Sequence, residues 1–325
     1  MQRPDPEKEI MRWTSFILGC ALALAPCLPA PALAAPAAPS ADAPTRAASA
    51  PRSVRARPAL WVVRDEDTTI YLFGTIHLLK PGMRWFEGPM RAAFDKSGEV
   101  VLEIAGQDDE PEAQQMLLRR AFDPGGESLS SRLPAPSREK LQAALAANDL
   151  PLEIFDHVKP WFTTLTLTVA PLHRLGYDPQ SGADRVIEAA ATQAGKTLTG
   201  LETAAEQIGI FETLPDPLQV DLLVQTLDEL PTLAQTIERM IDAWAKGKPD
   251  ELAAIMNESV DSNPELEKRL LTDRNARWAD WISTRMEKPG TVFIAVGAGH
   301  LAGDGSVQQM LKARGISARR VSRRR

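Results

Sequence analysis

Histidine and cysteine are the side chains best suited to hold a metal or attack a carbonyl, and this chain has four of the first and two of the second. Two of the histidines are placed alike. Tyr71-Leu72-Phe73-Gly74-Thr75-Ile76-His77 and Phe293-Ile294-Ala295-Val296-Gly297-Ala298-Gly299-His300 each run from an apolar strand into Gly-x-x-His. Glycine lets the backbone turn sharply where a strand leaves its sheet. An imidazole three residues on then points into the crevice at the strand ends, where open α/β sheets place their ligands. His157, between Asp156 and Lys159, and His173, after Pro171, lack that context and read as structural. Nucleotide binding has no Gly-x-x-x-x-Gly-Lys loop to rest on, and a serine triad has no Gly-x-Ser-x-Gly elbow.

The elements that must position these histidines are legible as short β-prone runs separated by helices. Leu60–Val63 and Ile70–Phe73 flank the acidic turn Asp65-Glu66-Asp67, which reads as a hairpin. Further strands are expected over Glu99–Ile104, Thr197–Leu201 and Ala318–Val321. Thr291–Val296 is the most apolar and is expected at the centre of the sheet. Helices are expected over Pro89–Lys96, Asp184–Ala194 and Ser306–Arg314. The middle of the chain shows apolar residues at three- and four-residue spacing over Pro160–Leu175, Pro217–Leu230, Pro231–Lys246 and Leu266–Met286, three of them with Pro at the start. The expected fold is α/β: a mixed central β-sheet flanked by helices, with a helical insertion in the middle of the chain.

Composition narrows the function classes. The chain has 325 residues, 44% hydrophobic and 25% charged, with a net charge of -6. This is a globular composition without the basic field that nucleic acid requires. Residues 1–34 read as a signal peptide. The apolar run Trp13–Ala25 falls short of the about 20 residues that span a bilayer, and Ala32-Leu33-Ala34 supplies a small-x-small cleavage site. Met11 is an alternative start. Cleavage after Ala34 removes Cys20 and Cys27, and with them disulfides, zinc–thiolate sites and thiol nucleophiles. The expected location is therefore the periplasm, with no transmembrane segment in the mature chain. Lipid anchoring through Cys20, after Ile17-Leu18-Gly19, is the weaker reading. Residues 35–58 are rich in Ala, Pro and Ser and read as a linker, leaving 59–325 as the folded body. Arg319, Arg320 and Arg323–Arg325 read as a solvated basic tail.

The string Tyr71–Leu78 together with Gly297-Ala298-Gly299-His300-Leu301 resembles the TraB/GumN family, related to the Tiki metalloproteases. Further matches follow in the family's order: Val101-Leu102-Glu103, then Gly182-Ala183-Asp184 with Ala189, Gly195-Lys196, Leu201-Glu202-Thr203 and Gln207, and finally Arg274-Asn275. The resemblance runs from about Leu60 to Val321. It implies a divalent-metal hydrolase of protease type, with both Gly-x-x-His histidines and a glutamate at the metal centre. Two neutral imidazoles and a carboxylate suit such a site and leave positions open for water. A bound Mn, Co or Zn ion would bring that water's pKa towards neutrality and polarise a carbonyl.

On this resemblance His77 and His300 are ligands, Glu103 is a ligand or general base, and Glu202 lies beside them or is an alternate ligand. Arg274 holds a substrate carboxylate or an oxyanion, and Asn275 hydrogen-bonds a ligand. Other readings stay open from the residues alone. Glu103 follows Val100-Val101-Leu102, where an unpaired charge is costly, and its partner is either a metal or Arg274. Glu202 precedes a helix start, and a helical Arg-Asn pair is ordinarily solvated surface. Three function classes follow: an exported metal-dependent hydrolase of a peptide or small molecule, a non-catalytic periplasmic binding protein using the same crevice, and an envelope or polysaccharide-associated scaffold.

Overall fold

A computed structural model describes residues 55–106, 110–257 and 264–322. The expected signal peptide and most of the expected linker lie outside the described residues. The linker's last residues, 55–58, already lie against the body: Ala56 is buried and its N–H donates to the Arg84 carbonyl.

Six strands form one mixed sheet: β1 (Leu60–Arg64), β2 (Thr68–Thr75), β3 (Glu99–Leu102), β4 (Thr197–Gly200), β5 (Gly290–Gly297) and β6 (Arg319–Arg320). Their order is β4-β3-β5-β2-β1-β6. β5 runs parallel to β2 and β3, and β3 runs parallel to β4, while β1 is antiparallel to β2 and β6. The acidic turn closes the expected hairpin, with Asp65 Oδ1 accepting from the Thr68 N–H at 2.8 Å. The most apolar strand is central, as its composition requires.

The helices are α1 (Pro89–Lys96), α2 (Glu110–Ala121), α3 (Ala135–Ala147), α4 (Pro160–Arg174), α5 (Ala183–Gln193), α6 (Ala204–Glu212), α7 (Asp216–Glu229), α8 (Leu233–Ala245), α9 (Pro249–Asn257), α10 (Asp273–Arg285) and α11 (Val307–Ala313), with single turns between some of them. The helical middle is thus two insertions, one between β3 and β4 and one between β4 and β5. Alternation along β5 sorts its side chains to two faces. Val292, Ile294 and Val296 pack with Trp278 and Ile282 of α10, whereas Phe293 and Ala295 face the larger core of Phe73, Trp85 and Phe94.

Three local expectations are corrected. The strand after Ser97 ends at Leu102, which leaves Glu103 just beyond the sheet. The stretch expected as one helix over 266–286 is interrupted by a π-turn at Lys268–Thr272, an extra residue that periodicity does not register. Arg319 and Arg320 pair with β1, and the Arg320 guanidinium lies over the Trp61 ring at 5.1 Å.

Candidate functional site

The parallel strands β2, β5 and β3 end side by side, and the two histidine corners follow from β2 and β5. The corners press on one another: a Cβ on Gly74 would lie 2.9 Å from the Ala298 Cα. Gly297 is similar, with φ -48° and ψ 135°, and a Cβ there would lie 3.0 Å from Glu103 Oε1, 3.4 Å from His77 Nε2 and 3.5 Å from His300 Cδ2. Neither glycine has positive φ. The expected reason for glycine, freedom to turn, is therefore replaced by another: at both corners a side chain has no room.

His77, Glu103 and His300 converge on the small volume above Gly297. Each is buried. Glu103 Oε1 accepts from the Gly297 N–H at 2.5 Å, and Oε2 accepts from Arg274 Nη2 at 2.9 Å and Gln207 Nε2 at 3.1 Å. Burial pushes the Glu103 carboxyl up, but the Arg274 charge, the two imidazoles and the Gly297 N–H outweigh it and hold the pKa at about 2. Glu103 is a carboxylate at neutral pH.

Arg274 organises the rest. Its Nε donates to Glu202 at 2.9 Å, Nη1 reaches the Leu270 carbonyl and His300 Nε2, each at 3.0 Å, and Nη2 bridges Glu103 and Glu202 at 2.9 and 2.8 Å. Those contacts occupy the five N–H groups a guanidinium possesses. Trp278 supports the cluster from below, with the guanidinium 4.9 Å from its ring and the His300 ring 4.3 Å away. Asn275 takes the other side of His300: Oδ1 is 2.6 Å from Nδ1, and Nδ2 donates to the Gly305 carbonyl at 2.8 Å. Because arginine can only donate, His300 Nε2 accepts and Nδ1 carries the proton. Burial, followed by the Arg274 charge, pushes the His300 pKa down to about 3.

His77 is held differently. Its Nδ1 lies 3.2 Å from Asp184 Oδ2, an oblique ion-pair contact, and its buried Nε2 makes no hydrogen bond. Burial lowers the His77 pKa, but Asp184 and Glu103 outweigh it and the net shift is upward.

The six residues expected at the site are thus brought together. Of the two partners open to Glu103, the guanidinium of Arg274 is in contact with it. Glu202, whose N–H donates to the Glu103 carbonyl at 2.8 Å, continues the β3–β4 pairing beyond the strands. Arg274 and Asn275 are buried despite their helical setting. Three partners went unassigned in the sequence: Asp184 beside His77, Gln207 and Arg277. Gln207 is signalled only by its place in the family pattern. Arg277, whose side chain is 59% exposed and whose Nη2 is 3.1 Å from Glu202 Oε1, carries no signal beyond lying three residues after Arg274. His157 is exposed and His173 half-buried.

Among the described residues, no three His, Cys, Asp or Glu side chains are arranged ready to hold a metal. The donor chemistry nonetheless fits a divalent cation: His77 Nε2 is a buried nitrogen without a partner, His300 is neutral and Glu103 is ionised. For both imidazoles to ligate, Arg274 Nη1 must release His300 Nε2.

Comparison with known proteins matches the folded body. The model of the TraB/PrgY/gumN family matches residues 59–320. The chain is 25% identical over 256 residues to the uncharacterized protein YbaP of Escherichia coli (strain K12), covering 78% of this chain and 92% of that one. The YbaP of Shigella flexneri matches to the same extent. No solved structure matches.

Proposed function

This chain belongs to the TraB/PrgY/gumN family, and from that premise we propose that it is a metal-dependent hydrolase of peptide-type bonds, with His77, His300 and Glu103 holding a divalent cation, Mn, Co or Zn. The observation in support is the convergence of the two imidazoles and the carboxylate on Gly297, with His77 Nε2 left unpartnered. A cation bound there supplies a polarised carbonyl and a water acidic enough to attack it near neutral pH. Glu103 is ionised and able to accept a proton. Arg274 fixes Glu103 and Glu202 and offsets one of their two charges, and holding a substrate oxyanion would require it to release one of its present acceptors. Export to the periplasm belongs to the same proposal and rests on the apolar run and small-x-small site before Ala35. No helix among the described residues is long and apolar enough to cross a membrane.

One observation favours a second reading. Glu103, Glu202, Arg274 and His300 already satisfy one another, which suits a non-catalytic binder or scaffold held together by a buried ion network. Turnover separates the two. Metal-stimulated cleavage of a peptide library is expected from the full chain, and Glu103→Gln is expected to lower it by about 10²-fold or more. Undiminished cleavage in that variant removes Glu103 as the base. No cleavage with any of the three metals leaves the second reading.

A further inference from the structure

Gly182, Ala183 and Asp184 lie beside the first histidine corner, and the chemistry proposed above gives them no part. The Ala183 N–H donates to the Ile76 carbonyl at 2.8 Å, and the Asp178 N–H donates to the Leu79 carbonyl at 3.0 Å. Together they tie the segment before α5 to both sides of His77. A Cβ on Gly182 would fall onto the His77 carbonyl oxygen, well inside van der Waals contact. One residue into α5, Asp184 brings Oδ2 to 3.2 Å from His77 Nδ1.

We propose that the Gly182–Asp184 step is a positioning clamp that fixes the His77 backbone through Gly182 and Ala183 and fixes its ring through Asp184, so that Nε2 faces the volume above Gly297. A neutral imidazole has one N–H, and a carboxylate beside Nδ1 selects the tautomer that carries the proton there. The lone pair is then on Nε2: neither ring nitrogen makes a hydrogen bond of full geometry, and Nδ1 is the one with a carboxylate oxygen beside it, Asp184 Oδ2 at 3.2 Å. His300 reaches the same state by other means, through Asn275 Oδ1 at Nδ1. Both rings thus carry the proton on Nδ1, beside an acid in one case and an amide in the other, and the His300 Nε2 lone pair is taken by Arg274. Asp184 is a positioning residue, and the inference builds on the hydrolase reading by explaining how one proposed ligand is aimed. A carboxylate in a helix's first turn also stabilises that helix by itself, so loss of stability alone does not test the clamp.

The test is the ring tautomer in the full chain without metal, read by long-range 1H–15N correlation on histidine labelled with 15N, at alkaline pH where the rings are neutral. Wild-type His77 is expected as the Nδ1–H form. Asp184→Ala is expected to lose that preference while His300 keeps its own. Cobalt(II) titration of the same variant is expected to show about 10–100-fold weaker binding. A folded Asp184→Ala with an unchanged His77 tautomer overturns the clamp. So does wild-type His77 in the Nε2–H form, which decides the matter even if the variant does not fold. If the wild type binds no cobalt(II), nor Mn or Zn, the hydrolase proposal fails while the tautomer result still stands or falls on its own.

Discussion

The two Gly-x-x-His corners have the same sequence pattern and opposite electrostatics. His77 faces a carboxylate at Nδ1 and its pKa is raised, whereas His300 faces an amide at Nδ1 and a guanidinium at Nε2 and its pKa is pushed down to about 3. The motif decides where an imidazole stands. What surrounds it, drawn from α5 in one case and α10 in the other, decides how readily it takes up a proton. Two rings delivered alike to one volume thereby differ in basicity.

The sharpest challenge to this contrast is to remove the guanidinium. Arg274→Ala would leave Glu103 and Glu202 as buried charges without their common partner and should cost about 3–5 kcal/mol, measured by urea unfolding. It should also raise the His300 pKa. A loss below about 1 kcal/mol would mean that the network is solvated and the contrast much weaker than drawn.

The contrast is next visible in pH dependence. His300, depressed when folded, contributes stability that is complete above the unfolded value near 6.5 and is lost as pH falls towards about 3. Glu103 adds a loss between its unfolded value near 4.5 and about 2. His77 acts in the opposite sense: its raised pKa contributes stability below 6.5, lost as pH rises through the folded value. Unfolding free energy measured across pH 4 to 8 should therefore rise to a maximum near 6.5 and fall above it, each slope bounded by about 1.4 kcal/mol per pH unit. Asn275→Asp makes the second corner resemble the first and should flatten the acid-side slope. An unchanged slope would mean that the partner at Nδ1 does not govern His300.

The smallest effect is expected at the rim. Arg277→Ala removes the exposed member of the pairs on Glu202 and should cost about 0–1 kcal/mol. A loss as large as that of Arg274→Ala would show that Glu202 depends on both arginines equally.

Much of this was legible in the sequence, for identifiable reasons. Strand and histidine corner are contiguous, so apolar runs ending in Gly-x-x-His locate both imidazoles, and the apolar excess of Thr291–Val296 places β5 centrally. Arg274 was not legible from its helix, because an arginine on α10 looks solvated until Glu103 and Glu202 arrive from distant strands. The role of Asp184 was hidden similarly, since its contact with His77 spans the whole first insertion. The glycines were found for the wrong reason: the sequence shows that a side chain is missing, and only the packed corners show what would have struck it.

The claim on which the rest depends is that both imidazoles serve one cation. Metal analysis of the purified full chain beside His77→Ala and His300→Ala addresses it without any assumption about substrate. About one ion of Mn, Co or Zn per chain is expected in the wild type, lost from each variant while the fold persists by circular dichroism. A wild type that binds none of the three, or either variant retaining the ion, would contradict it.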